Sequence, residues 1–245
     1  MNRTMAVATR VLHQLARDRR FLALSVVAPL IVIYISKAAL DSFRVSFINV
    51  SQFVVPIGAF IVHFATYVLC AIVLVRERSA QTLARMFVNG YRQAEIIGGY
   101  VLAYTCVATL QSLLVLGELS ILFHLNYRAS VLLSIYVVIW LLAIISICLG
   151  IFVSNFARNE GQVLPFIPLV TVPGIFLSDV IFPVNLLPGW AQWLSHATPL
   201  FYANQVIQRL IKDGTLAENW PRVGLLVLYG AVVLFLATRT LRETD

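Results

Sequence analysis

Apolar residues gather along this chain into six long runs parted by short polar stretches, at 21–40, 53–75, 96–123, 131–153, 163–182 and 221–238. Each run is close to the roughly 20 residues a helix needs to cross the hydrocarbon of a bilayer. The pattern therefore predicts an all-α polytopic membrane protein, a single transmembrane domain over 1–245 with six transmembrane helices. The last span is the least complete. Its core, Val223 to Ala237, is about one turn short of a crossing, and Trp220 and Pro221 extend it at an interface, where aromatic side chains settle. The first span follows a basic stretch, but about 20 preceding residues make too long an n-region and no clear A-x-A site follows. It is read as a retained helix, not a signal peptide.

Three connecting segments carry more pattern than a turn needs. Across residues 3–17, at about 100° per residue, Met5, Val7, Ala8, Val11, Leu12, Leu15 and Ala16 share one arc. Arg3, Arg10, His13, Gln14 and Arg17 share the other. This predicts an interfacial amphipathic helix over 1–20, with its apolar face in lipid and its arginines, Arg10 and Arg17 followed by Arg19 and Arg20, at anionic headgroups. Such a helix either anchors the topology or also passes force from a cytoplasmic partner. In the segment 76–92, Ala80, Leu83, Met86 and Phe87 recur at helical spacing and Asn89-Gly90 is a stop signal. That apolar stripe packs on the membrane or the interfacial helix, or meets a soluble partner. Ser178 or Asp179 ends the fifth span, and the following stretch is apolar yet broken by Pro183, Pro188 and Pro199. Short re-entrant outer helices over 183–200, with Trp190 and Trp193 near the headgroups, fit it. They cap the bundle or gate an exit.

Composition agrees: 60% of the residues are hydrophobic and 12% charged, with a mean hydropathy of +0.88, against about 45–50% and about 25% in a soluble domain. A soluble enzyme, a disordered tail and a second globular domain are excluded. The net charge of +7 acquires meaning from its placement. Arg3, Arg10, Arg17, Arg19, Arg20, Arg76, Arg78, Arg85, Arg92, Arg158, Arg239 and Arg242, 12 of the 18 basic residues, fall on one side of the six-span topology. Lys37, Arg44, Arg128, Arg209, Lys212 and Arg222 fall on the other. The positive-inside rule then predicts both termini in the cytoplasm of a multi-pass protein of the cell's inner or plasma membrane. Because the basic residues flank spans, without a stacking platform or reading motif, nucleic acid is not a partner. The Asn49-Val50-Ser51 sequon lies on the predicted outer side. Cys70, Cys106 and Cys148 lie inside apolar runs and show no metal or redox spacing.

The chain carries no G-x-x-x-x-G-K-[ST] phosphate loop, no H-E-x-x-H and no paired nucleophile and base. It is expected to be no enzyme by itself, and to hold no metal or cofactor. Polar groups at membrane depth are the remaining sites of interest. His63 in the second span and Gln111 in the third bond each other or a neighbouring hydroxyl, or else touch a substrate. Glu118 falls near the outer surface, to be hydrated or serve as a cap, and Lys37 snorkels outward. No chain of carboxylates suits proton coupling.

RDRRFLALSVVAPLI, RERSAQTLARMFVNGYRQAEIIGGYVLAY, SNFARNEGQVLPFIPL and FLSDVIFPVNLLPGWAQWLSHATPLFYANQVIQRLI together resemble the membrane subunit of a type-2 ABC exporter, in the drug and natural-product efflux branch. RDRRFLALSVVAPLI is similar to the family's Arg-Asp entry into a proline-bearing first span, here Arg17, Asp18 and Pro29. RERSAQTLARMFVNGYRQAEIIGGYVLAY resembles R-E-x-x-x-G-T-L-E-x-L and the third-span entry E-I-I-x-G-K. SNFARNEGQVLPFIPL matches the start of the fifth span in type. The most specific, FLSDVIFPVNLLPGWAQWLSHATPLFYANQVIQRLI, looks like F-P-x-x-x-L-P-x-W-x-x-x-L-S-x-x-x-P-L-x-Y. Gln81 stands where glycine is common, Ala84 replaces a glutamate, Asn89-Gly90 replaces Thr-Pro and Tyr100 a lysine.

The resemblance implies a subunit that pairs with a second copy or a close paralogue, each engaging a separate ABC ATP-binding subunit that holds ATP and Mg. Residues 3–20 become a connecting helix and Glu77 to Phe87 a coupling helix. Glu77, Arg78 and Arg85 would meet the ATPase, and Leu83, Met86 and Phe87 would fill its cleft. A substrate path would involve Phe60, His63, Gln111, Phe166 and Phe176, and an outer gate Phe182, Pro183, Leu187, Pro188, Trp190 and Trp193. The implied cargo is an amphipathic small molecule or drug moved outward, with a lipid or lipid-linked glycan, or a small cation, as alternatives. A non-transporting scaffold or immunity protein is the reading from a different class.

Overall fold

The computed structural model describes residues 3–42, 50–212 and 215–241. Arg44, Asn49 of the sequon and Arg242 lie outside the described residues. Among the described residues the secondary structure is entirely helical. Helix α1 (Arg3–Arg17) leads through the corner residue Asp18 into α2 (Arg19–Ser42). Then come α3 (Val50–Ser79), the short α4 (Thr82–Val88), α5 (Gln93–Leu122) and α6 (Ala129–Ser154). They are followed by α7 (Glu160–Phe176), α8 (Gly189–Ser195), α9 (Pro199–Ile211) and α10 (Trp220–Thr240).

Among the described residues five helices, α2, α3, α5, α6 and α10, are by themselves long and apolar enough to cross a membrane. The run expected to form a fifth span over 163–182 forms α7, which begins three residues earlier at Glu160 and ends six residues earlier at Phe176. At 1.5 Å per residue α7 is about 25 Å long, at the short end of what crosses a bilayer. Apolarity continues through Ile181 and Phe182, but the backbone does not follow: Asp179 takes φ +58, and its carboxylate accepts a hydrogen bond from the Val184 amide. An acidic side chain that bonds its own loop ends the helix where hydropathy alone would extend it.

The bundle is built around α3 and α6, which pack on each other along their length. Val55, Ala59, Val62 and Tyr67 on α3, and Ile135, Ile139, Leu142 and Ile147 on α6, have no exposed surface. Gly150 sets the spacing, since a Cβ there would lie 2.8 Å from the Tyr67 carbonyl and 3.1 Å from the Ala71 nitrogen. In lipid, where burying apolar surface on protein gains little, such backbone approach is a main source of helix association. Helices α5, α9 and α10 surround this pair, and α2 lies at the edge with most of its side chains exposed. Within α2, residues Ala23–Val27 form a π-helical turn just ahead of Pro29. Proline has no N–H to close the ordinary α-helical bond to the Ser25 carbonyl, and the wider turn accommodates that loss.

Between α3 and α5 the chain turns twice. Gln81, the residue before α4, takes a left-handed backbone at φ 56 and ψ 19, which costs a residue with a Cβ about 1 kcal/mol. Glycine, common at this position in the family the segment resembles, escapes the cost. Gln81→Gly is accordingly expected to stabilise the chain by about 1 kcal/mol, read as a higher thermal midpoint. After α4, Gly90 at φ 76 closes the helix: its amide bonds the Phe87 carbonyl and the Tyr91 amide reaches back to Met86, the Schellman arrangement. The Asn89-Gly90 pair acts there as the stop expected from sequence.

Candidate functional site

The end of the bundle that carries α1 and α4 is held together by an unusual density of polar contacts. Val7, Ala8, Val11 and Leu15 of α1 are buried, and α1 lies against α5. This revises the expectation that the apolar face of α1 sits in lipid: α5 covers it. The approach is possible because Gly99 is bare, since a Cβ there would fall 2.5 Å from Val7 Cβ and 3.0 Å from the Thr4 carbonyl. Gly99→Leu is therefore expected to lift α1 off the bundle. Limited trypsin digestion checks this, with cleavage after Arg10 and Arg17 at least tenfold faster than in the unaltered chain, by about 1.4 kcal/mol of lost protection.

Arg10 and Gln14 stand four residues apart and so share a face of α1, where both converge on one carboxylate. Glu77 Oε2 accepts from Arg10 Nη2 at 3.1 Å, and Oε1 accepts from Gln14 Nε2 at 2.5 Å. Arg10 Nη2 also lies 3.0 Å from the Tyr100 hydroxyl on α5. The Glu77 side chain is only 5% exposed and Arg10 is 38% exposed. Next along α3, Arg78 donates to the carbonyls of Ser154 and Ala157 at 2.7 and 3.2 Å and to Asn155 Oδ1 at 2.9 Å. A cation thus meets the negative end of the α6 dipole. Asn155 in turn donates to the Ala237 carbonyl and Thr240 Oγ1 of α10, both at 2.9 Å. Arg76 Nε is 3.0 Å from Glu160 and its Nη1 is 3.7 Å from Asp18, and Asp18 also caps α2 through the Arg20 and Phe21 amides. Three consecutive charged residues at the foot of α3 thereby fasten it to α1, the Asp18 corner, α6 and α7.

This geometry redistributes the residues expected to meet an outside partner. Glu77 and Arg78 spend their polar groups inside the chain, and Leu83 and Met86 are buried at 3% and 8% exposure. The bundle covers this side of α4. What α4 leaves outward is Arg85, the half-buried Phe87 and Val88, which is 88% exposed. Of the cations expected on the interfacial helix, Arg10 turns inward, while Arg17, Arg19 and Arg20 are exposed. Asn155, Glu160 and Val88 were not singled out from sequence, and Gln14, Asp18 and Tyr100 were noted there without the partners they have here. Only the four-residue spacing of Arg10 and Gln14 was a usable signal.

At mid-bundle, His63 and Gln111 are buried and do not bond each other. His63 Nδ1 is 2.7 Å from Ser146 Oγ, whose own hydrogen goes to the Leu142 carbonyl. Nδ1 is therefore the donor of that pair. Gln111 Oε1 accepts from Thr66 Oγ1 at 3.1 Å. Each polar group takes a hydroxyl on a neighbouring helix, as the structural alternative expects. Phe60 and Phe166 are half-buried and Phe176 is exposed, stacked on Phe182 at 6.1 Å. Among the described residues no three His, Cys, Asp or Glu side chains gather as metal ligands would.

At the opposite end, Trp190 and Trp193 on α8 are 71% and 78% exposed, and Phe182, Pro183 and Pro188 are exposed beside a half-buried Leu187. Gln192 holds this loop by donating to the Leu187 carbonyl at 2.8 Å. Asn204 of α9 donates to the Ser178 carbonyl at 2.7 Å. Lys37 pairs with Asp41 and stands over the Phe123 ring, 5.6 Å from its centroid. Glu118 is half-buried.

Comparison with known proteins places these features. The chain is 26% identical over 230 residues, 91% of its own length and 81% of the relative's, to the probable doxorubicin resistance ABC transporter permease protein DrrC of Mycobacterium tuberculosis. It is 25% identical over 171 residues, 69% of its length and 46% of the relative's, to the probable multidrug ABC transporter permease YbhR of Escherichia coli. It is also 22% identical over 198 residues, 79% of its length, to ABC transporter G family member 20 of Dictyostelium discoideum, of which it spans only 27%. With apolar helices of crossing length, an amphipathic helix braced on the bundle and a short helix between α3 and α5, the profile that matches residues 2–211 fits the molecule it describes: the chain belongs to the ABC-2 type transporter family, as a multi-pass membrane subunit.

Proposed function

We propose that this chain is the membrane half of an ATP-driven exporter that moves an amphipathic small molecule or drug outward. Two copies, or one copy and a paralogue, each engage a separate ATP-binding subunit, which holds the ATP and Mg and performs the hydrolysis. The observation that carries the reading is the contrast across α4: its inner face is bonded into the bundle, while Val88 and Arg85 stand out beside Phe87. Orientation follows the charge pattern, with the α1 and α4 end and both termini in the cytoplasm. A push on α4 would be carried through Glu77 and Arg78 to α1, α6 and α10 together. The foot of α3 then moves as one body, and the packing against the second copy changes.

The test is co-expression with the ATP-binding subunit, purification into lipid nanodiscs, and measurement of complex mass and ATP hydrolysis. The expected result is a two-plus-two complex with vanadate-sensitive hydrolysis stimulated by an amphipathic drug. Absence of association with any ABC ATPase would overturn the reading and favour a scaffold. Hydrolysis stimulated by a lipid-linked glycan and not by drugs would replace only the cargo.

A further inference from the structure

The carboxylates at the α1 and α4 end are all engaged internally among the described residues. Asp18 caps α2 and faces Arg76, and Glu77 holds Arg10 and Gln14. Glu95 accepts from the Arg92 amide and lies 3.8 Å from Arg3, and Glu160 pairs with Arg76. The surface left over is cationic. Its densest part is the corner between α1 and α2, where Arg17, Arg19 and Arg20 are exposed and none makes an ion pair among the described residues. Asp18 stands between them with its charge turned to Arg76 and to two backbone amides.

The apolar surface of α2 identifies the occupant of this corner. Leu22, Leu24, Val27 and Ile31 are exposed on α2 directly after the arginines, so an apolar surface of crossing length begins within one turn of the cations. Three guanidinium groups at the start of an exposed apolar helix stand at the level of lipid phosphates, with acyl chains alongside the leucines and valines. An acidic protein face would match the charge and leave that apolar surface uncovered. We propose that the corner formed by Arg17, Arg19 and Arg20 is a binding site for the phosphate of an anionic phospholipid, and that this lipid holds α1 and α2 at the membrane surface. The proposal rests on the functional reading only for its choice of leaflet.

The experiment uses the whole chain without any partner, in nanodiscs of phosphatidylcholine and phosphatidylglycerol mixed equally in both leaflets, so the result does not depend on orientation or on an ATPase. Native mass spectrometry counts the lipids retained after the disc is stripped. The unaltered chain is expected to retain phosphatidylglycerol in preference to phosphatidylcholine. The preference should fall by about fivefold for each arginine removed, by that single factor in Arg19→Gln and to none in the triple variant Arg17→Gln, Arg19→Gln, Arg20→Gln, while Arg85→Gln keeps it. These side chains are exposed, and an unchanged thermal midpoint verifies folding. Equal retention of the two lipids by the unaltered chain, or full preference in a folded triple variant, would overturn the site.

Discussion

Arg10→Met is expected to destabilise the chain by about 3 kcal/mol, because it strands a buried carboxylate. Glu77 is 5% exposed and has Arg10 as its cation, with Gln14 as the neutral donor that would remain. Breaking a buried pair by removing one partner is worse than never having it, since the survivor has lost water and gains nothing in return. Glu77→Gln is milder, at about 1–2 kcal/mol, because Arg10 is 38% exposed and can turn to solvent. The double variant Arg10→Met, Glu77→Met should return to within about 1 kcal/mol of the unaltered chain. Cys70 and Cys148 are buried and Cys106 is exposed, so maleimide labelling in a Cys106→Ser background reads unfolding directly. A double variant as unstable as the sum of the single ones would show that the node does not act as a pair.

Val88→Glu is expected to leave the fold within about 0.5 kcal/mol of the unaltered chain, as exposed substitutions do, and to weaken association with the ATP-binding subunit by about thirtyfold. Val88 is 88% exposed, so a carboxylate there costs nothing until a partner tries to desolvate it. Leu83→Glu is the opposite case: at 3% exposure the charge would be forced into the bundle, and lost transport would report an unfolded α4 and not a lost contact. Binding of the ATPase to the chain in nanodiscs, measured with the thermal midpoint of each variant, separates the two. Full association and hydrolysis with Val88→Glu would remove α4 from the docking surface.

The spans were legible because their lengths measure a bilayer: an apolar run such as 131–153 is a helix wherever its neighbours lie. The stop at Asn89-Gly90 was legible because its cause is local, a left-handed backbone that glycine adopts freely. Gln81 adopts the same region with no such signal, whereas Asp179, one of the two stops read for the fifth span, does turn the chain there although the apolar run continues through Ile181 and Phe182. The candidate site was less legible still. The two faces of α1 could be sorted from sequence, but lipid and protein accept the same apolar stripe, and only Gly99 on a distant helix decides between them.

By itself, then, the sequence determined the membrane solvent and the helical class, because each is a sum over neighbouring residues. The tertiary structure decided which of the arginines are free. Glu77 lies 67 residues from Arg10 and Arg78 lies 76 from the Ser154 carbonyl, and no local pattern records such partners. Whether a charged group faces inward depends on what arrives opposite it when the helices pack, and burial without that partner would cost more than the fold can supply.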